Sequence, residues 1–200
     1  MPDAEFWDTR YAADTYAYGT RPNRGLEAIE PTLPRGARVL LPGDGEGRNS
    51  VWLAQRGHSV LAVDMAAEGL RKAGRLAADA GVAIEVLQAD LAEWFPPDSE
   101  FDALVLVFVH LPPQIRRAAH RRLLAALKPG GLLFLEGFER SHAGLPGGGP
   151  RDPAWLFDAQ TLREDFAGCT QLSFEVLDTH LDEGPFHQGR ARVLRAHGQR

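Results

Sequence analysis

Two clusters of residues in this chain have the types and spacing to do chemistry. The first is Gly43-Asp44-Gly45-Glu46-Gly47, which follows the apolar run Val39-Leu40-Leu41 and precedes Arg48-Asn49. A strand that enters a glycine turn and leaves as a helix builds a nucleotide or nucleoside site. The glycine spacing is not the dinucleotide fingerprint, whose last two glycines stand three residues apart. Asp44 and Glu46 put negative charge where a pyrophosphate would sit, which suits a cationic, phosphate-free ligand. Asp64 ends the next strand, Leu61-Ala62-Val63-Asp64, where a carboxylate accepts from both ribose hydroxyls. Asp90 ends the strand after that and is placed to accept from an exocyclic adenine amine.

The second cluster is polar and scattered. His110 follows the fourth expected strand, and His187 and Arg190 precede the last one. His110 and His187 are the candidate acid/base groups; a residue such as His110 more often caps or fills its loop, and His187 reads equally as part of a polar hairpin turn. Arg190 is placed either to pair with an anionic substrate or to sit in a polar hairpin turn. Arg48 either holds a ligand carboxylate or the N-terminal segment, or it is a solvated helix-start residue. Trp7, Tyr11 and Tyr18 either form a lid with cation–π contact to the ligand or pack the first helix on the sheet. Arg116, Arg117, Arg121 and Arg122 read as a solvated helix face. The seven histidines show no ligand spacing and there is one cysteine, Cys169, so no metal site and no internal disulfide are expected.

These groups need a scaffold. Strands are expected at 38–41, 59–63, 83–87, 102–108 and 131–136, with helices at 47–56, 66–80 and 113–127 between them. Continuous apolar runs such as Ala103 to Phe108 suit strands buried on both faces of a parallel sheet. Ile115, Ala119, Leu123 and Leu127 form the stripe of the third of these helices. Shorter helices are expected near 4–13, 24–31 and 158–166, and strands near 171–179 and 189–196 form a closing hairpin. The fold class is α/β: a Rossmann-like, doubly wound, mostly parallel seven-stranded sheet with a C-terminal antiparallel hairpin. One domain spans 1–200, with 1–35 as a helical lid segment and 36–200 as the core. The loop from Gly144 to Pro153 is either a lid or a surface connector.

The pattern from Val39 to Asn49, Ala62-Val63-Asp64, Gln88-Ala89-Asp90 and Leu127-Lys128-Pro129-Gly130-Gly131 resembles the class I S-adenosylmethionine-dependent methyltransferases. Within that family, Gly45 to Ser50 and the tyrosine-rich start with Arg21-Pro22-Asn23 are similar to the tellurite-resistance methyltransferases. The Trp7/Arg10/Tyr11 cluster is similar to that of the thiopurine S-methyltransferases. The resemblance implies S-adenosylmethionine as cofactor and S-adenosylhomocysteine as product. It places Trp7, Gly43, Asp44, Gly45, Arg48, Asn49, Asp64, Met65, Asp90, Leu91 and Phe108 at the cofactor, and Tyr18, Arg21 and Arg190 at the substrate. Leu41 departs from the family, which usually carries an acid there, so the cofactor's ammonium falls to Asp44 or to backbone carbonyls. The expected acceptor is a small thiol, a thiopurine-like compound or a tellurium or selenium oxyanion. A non-catalytic S-adenosylmethionine sensor and an NAD-dependent oxidoreductase are the alternatives.

The net charge of −5 argues against a nucleic-acid partner, and no run is long and apolar enough for a membrane span. A cytoplasmic monomer or homodimer is expected.

Overall fold

The structure, a computed structural model, describes residues 3–200. The sheet is built from alternation inside each apolar run. Val39 and Leu41 of β1 (Arg38–Pro42) face one layer with Ala103, Val105, Leu26 and Leu53, while Leu40 faces the other with Leu104, Leu106, Leu123 and Leu135. Each of these side chains is withdrawn from water on one face, which contributes about 1.5–3 kcal/mol per large residue.

Seven strands form one sheet in the order β3-β2-β1-β4-β5-β7-β6. Beside β1 lie β2 (Ser59–Asp64), β3 (Glu85–Gln88), β4 (Phe101–Val107) and β5 (Leu127–Phe138), all parallel. The hairpin β6 (Thr170–Asp182) and β7 (Gln188–Gln199) completes the sheet, with β7 antiparallel to both β5 and β6. The helices are α1 (Ala4–Tyr11), α2 (Arg24–Ile29), α3 (Arg48–Gln55), α4 (Ala67–Asp79), α5 (Pro113–Ala125) and α6 (Ala159–Asp165). Side-chain caps start three of them: Asp3 accepts from Phe6 N–H, Asn23 from Leu26 N–H and Asp158 from Thr161 N–H. The strand order reverses between β1 and β4, so Pro42, Asp64, Gln88 and Val107 end at the crevice where such sheets bind ligands.

Three expectations are corrected. The helix expected over 113–127 stops at Ala125, and Leu127 already pairs with Phe101 as the first residue of β5. Leu127 is buried all the same, because the turn carries it into the same core. The third strand, expected at 83–87, runs over Glu85–Gln88 instead, at the sheet edge with all four residues exposed. The basic run on α5 is not a uniform solvated face. Arg117 and Arg121 are exposed, but Arg116 is buried against Asp165 at 2.8 Å and Arg122 donates to the carbonyls of Leu91 and Ala92.

Candidate active site

The glycine loop is fixed by the strand beside it. Gly43 N–H donates to Val63 C=O, and Gly45 N–H donates to Asp64 Oδ2 at 2.8 Å. Ala66 N–H donates to Asp64 Oδ1 at 2.9 Å. Gly45 has φ +61°, and a Cβ there would lie 2.8 Å from Tyr11 Oη. The loop can follow this path against Tyr11 only with glycine. Burial raises the Asp64 carboxyl above its ordinary range, against the pull of its backbone N–H partners.

The other loop acids differ in environment. Glu46 is buried and pairs with the fully buried Lys72 at 2.5 Å, and it also accepts from Ala17 N–H. Its charge is therefore neutralised inside the protein and does not face a ligand. Asp44 Oδ2 accepts from the Ser50 hydroxyl, but Oδ1 is buried without a hydrogen-bond partner among the described residues. Burial, helped by the Asp64 charge, pushes Asp44 up to about 6. Asp90 lies just past β3 and accepts from Ala92 N–H, with Leu91 buried beside it. Met65 is half-buried, and its carbonyl accepts from Gln88. Trp7 stacks on Tyr11 with centroids 5.8 Å apart.

An aromatic box stands beyond β4. Phe108 has φ +55°, a strained conformation for a bulky residue and one that turns the chain sharply at the strand end. Its ring lies 4.7 Å from Phe138 and 4.5 Å from His187, and Tyr18 closes the other side of His187 at 4.5 Å. Arg10 donates to Tyr18 Oη and spreads over Phe186 at 4.0 Å. The Gly144–Pro153 loop packs beside this box: Gly148 lies against Phe186 and His187, and Gly149 against Phe138.

The structure sorts the expected site residues. Gly43, Asp44, Gly45, Asp64, Met65, Asp90 and Leu91 lie at or just past the ends of β1, β2 and β3; Trp7 stacks on Tyr11, which lies against Gly45, and Tyr18, Phe108 and His187 pack on one another. Arg48 is buried and pairs with Glu183 at 2.9 Å, while Asn49 accepts from Asn23 N–H. Both therefore hold the N-terminal segment and the hairpin rather than solvating a helix start. Three expectations do not fit the geometry. His110 places Nδ1 2.9 Å from Trp155 C=O and accepts at Nε2 from Phe138 N–H, so both nitrogens are spent on backbone. Burial holds it down to about 4, so it is a neutral cross-brace and has no free lone pair for proton transfer. Arg21 pairs on the surface with Asp182, and the Arg190 side chain is exposed on the hairpin. Sequence reasoning missed Glu183 and Phe138. Glu183 had a signal, an acid four residues before His187 across a turn; Phe138 had none beyond its place at the end of β5.

Comparison with known proteins agrees with this geometry. A family model described as a methyltransferase domain matches residues 39–131. A thiopurine S-methyltransferase from Pseudomonas putida is 30% identical and covers 94% of this chain and 94% of its own length. One from Vibrio cholerae is 26% identical over 91% of this chain and 88% of its own. A solved structure described under the conversion of a disulfide bond into a thioacetal group during echinomycin biosynthesis superposes with a TM-score of 0.80 at 18% identity, covering 98% and 91%. That likeness shows the fold. The glycine loop, the acid that ends β2, the acid just past β3, and the relatives that match nearly end to end lead to one conclusion: the chain belongs to the class I S-adenosylmethionine-dependent methyltransferases.

Proposed function

We propose that this enzyme transfers a methyl group from S-adenosylmethionine to a small molecule carrying a sulfur nucleophile, held in the box of Tyr18, Phe108, Phe138 and His187. The observation that carries the reading is Asp64, presented at the end of β2 in front of the glycine loop by two backbone N–H groups. Each of its oxygens keeps a second lone pair for a ribose hydroxyl. Asp44 Oδ1, buried without a partner, is the natural acceptor for the cofactor's ammonium, in place of the acid that Leu41 lacks. With Glu46 neutralised by Lys72, Asp44 is the loop acid left for a ligand; it and a glycine spacing unlike the dinucleotide fingerprint favour a cationic, phosphate-free cofactor over NAD.

When bound, the cofactor supplies an activated methyl group on a sulfonium. The chain need only orient the acceptor in line and keep water out. Trp7, Tyr11 and Tyr18 serve the second task. A thiol is favoured over a tellurium or selenium oxyanion by the charges around the box. Arg48 is neutralised by Glu183, Arg21 by Asp182, and Arg190 is exposed. The thiopurine S-methyltransferase names of the relatives support the same choice.

The test is calorimetric titration with S-adenosylmethionine and with NAD, beside Asp64→Ala, followed by a screen of thiols for S-adenosylhomocysteine release. S-adenosylmethionine should bind and NAD should not. Loss of two hydrogen bonds to a charged group, about 3 kcal/mol or more, should weaken cofactor binding by at least about 100-fold in the variant. Preference for NAD, or equal binding by the variant, overturns the reading.

A further inference from the structure

Three histidine rings pack around Phe138: His142 at 4.1 Å, His187 at 5.3 Å and His110 at 5.6 Å. They are not equivalent. His110 spends both nitrogens on backbone groups, as described above. His142 does the same: its Nε2 lies 2.8 Å from Gly148 C=O, and its Nδ1 accepts from Arg192 N–H. His187 differs. Its Nδ1 lies 3.4 Å from Glu183 Oε2, and its Nε2 has no hydrogen-bond partner among the described residues. The ring is 6% exposed, between Tyr18 and Phe108.

The partner decides which nitrogen carries the proton. Burial alone would raise Glu183, but the hydrogen bond with His187 and the Arg48 guanidinium outweigh it and hold the carboxyl down to about 2. Glu183 is thus ionised at every working pH, and an ionised carboxylate can only accept. A neutral His187 must then carry its hydrogen on Nδ1, which leaves the Nε2 lone pair bare. Burial keeps the ring neutral, since it lowers the imidazole below its ordinary value; Arg48 and His142 push the same way and Glu183 opposes them. Tyr18 and His110 complete the titratable groups that face it.

We propose that Glu183 is a positioning residue that holds His187 with Nε2 unprotonated, and that Nε2 takes the proton of a neutral, protic methyl acceptor, a thiol with an apolar planar body. The inference rests on the methyltransferase reading of the site and adds its proton path and the protonation state of its substrate. The acceptor's S–H proton passes to Nε2. Its electron pair forms the bond to the methyl carbon, and the old carbon–sulfur pair leaves on the sulfur of the departing thioether. The resulting imidazolium is stabilised by Glu183, and Arg48 anchors that carboxylate to the first turn of α3, beside the glycine loop. Base and cofactor loop are thereby held in one frame.

Two measurements test this. Nitrogen-15 NMR of the imidazoles in the full-length protein should find His187 protonated on Nδ1 and bare on Nε2 at neutral pH. An Nε2-protonated ring overturns the proposal without any substrate being known. Methyl transfer is then compared for para-nitrothiophenol, already ionised at neutral pH, and phenylmethanethiol, which is protonated. Glu183→Gln should lower kcat for the protonated thiol by about 10- to 100-fold and leave the ionised one nearly unchanged. The glutamine amide oxygen still accepts from Arg48, so affinity for S-adenosylmethionine should fall by much less than kcat for the protonated thiol, and Glu183→Asp should recover part of the loss in kcat. The acid limb of the pH profile should move to lower pH in Glu183→Gln, because the carboxylate that favours the imidazolium is gone. Equal losses for both thiols, or no transfer to either by wild-type protein that binds S-adenosylmethionine, overturns the proposal alone. Failure of wild-type protein to bind S-adenosylmethionine overturns the reading beneath it.

Discussion

Asp44 shows what a single residue gives up to a binding site. Its Oδ1 is buried without a partner, and the carboxyl is pushed from an ordinary 3.8 to about 6. A carboxyl whose folded pKa is raised binds its proton more tightly folded than unfolded. Its favourable contribution is therefore complete in acid and is lost as pH rises through about 6. Asp44→Asn keeps an acceptor for Ser50 and cannot ionise. It should melt higher than wild type at pH 8, by an amount bounded at about 3 kcal/mol, and the gap should close below pH 4. Added S-adenosylmethionine should stabilise the variant less than wild type, because the ammonium loses its carboxylate. Thermal melts across pH, with and without cofactor, check both. A variant that melts lower at every pH would show that the carboxylate has a native partner. Asp44, Asp64 and Asp90 were legible in the sequence because the end of a strand and the turn after it are local geometry. Glu183 had only its spacing of four from His187 to mark it; its pairing with Arg48, 135 residues away, follows no local pattern. His110 and His187 look alike in sequence. Only the backbone groups around each ring separate a brace from a base.

Between elements, one buried cation ties the segment after α1 to the glycine loop. Lys72 of α4 is fully buried and donates to the carbonyls of Tyr11, Ala13 and Thr15 as well as pairing with Glu46. A charged pair in the interior adds little net stability, but removal of one partner strands the other. Lys72→Met should therefore cost about 3–5 kcal/mol in denaturant unfolding, and Lys72→Met with Glu46→Gln should recover a large part of it. Hydrogen exchange over residues 11–17 should rise in the single variant, because three carbonyls lose their donor. Unchanged stability would mean that this segment is held by its aromatic contacts alone. The alternating strands and helices were readable because their periods are set by one face each. Element ends were less so: α5 stops two residues early where Leu127 exchanges helix for strand pairing. The edge position of β3 had a mark in its polar ends, Glu85 and Gln88, whereas the central β4 is almost wholly apolar.

Across the whole molecule, two segments about 160 residues apart in sequence meet, residues 17–21 and 182–187. Phe186 N–H donates to Ala17 C=O, Tyr18 packs against Phe186 and His187, and Arg21 pairs with Asp182. The hinge of this contact is Gly184, at φ +74°. A Cβ there would lie 2.5 Å from Gly19 N and 2.7 Å from Ala17 O, both backbone atoms that cannot swing aside. Gly184→Ala must therefore separate the hairpin tip from the N-terminal segment or abandon the left-handed turn. Either movement draws Glu183 and His187 from the box, while the glycine loop, Asp64 and Asp90 stay on the sheet. The variant should bind S-adenosylmethionine nearly as well as wild type and turn over a thiol at least about tenfold more slowly, a change of about 1.4 kcal/mol in the barrier. Asp182→Ala is the matched control. It removes a pair whose side chains are 73% and 64% exposed, worth under about 1 kcal/mol, and should leave turnover intact. Calorimetry and S-adenosylhomocysteine release on the two variants separate the cases. If Gly184→Ala loses cofactor affinity and turnover together, the hairpin tip supports the cofactor loop through Arg48. If it loses turnover alone, cofactor and acceptor are held by separable halves of the molecule: the cofactor by local strand-end geometry, the acceptor by a contact that exists only once the whole chain has folded.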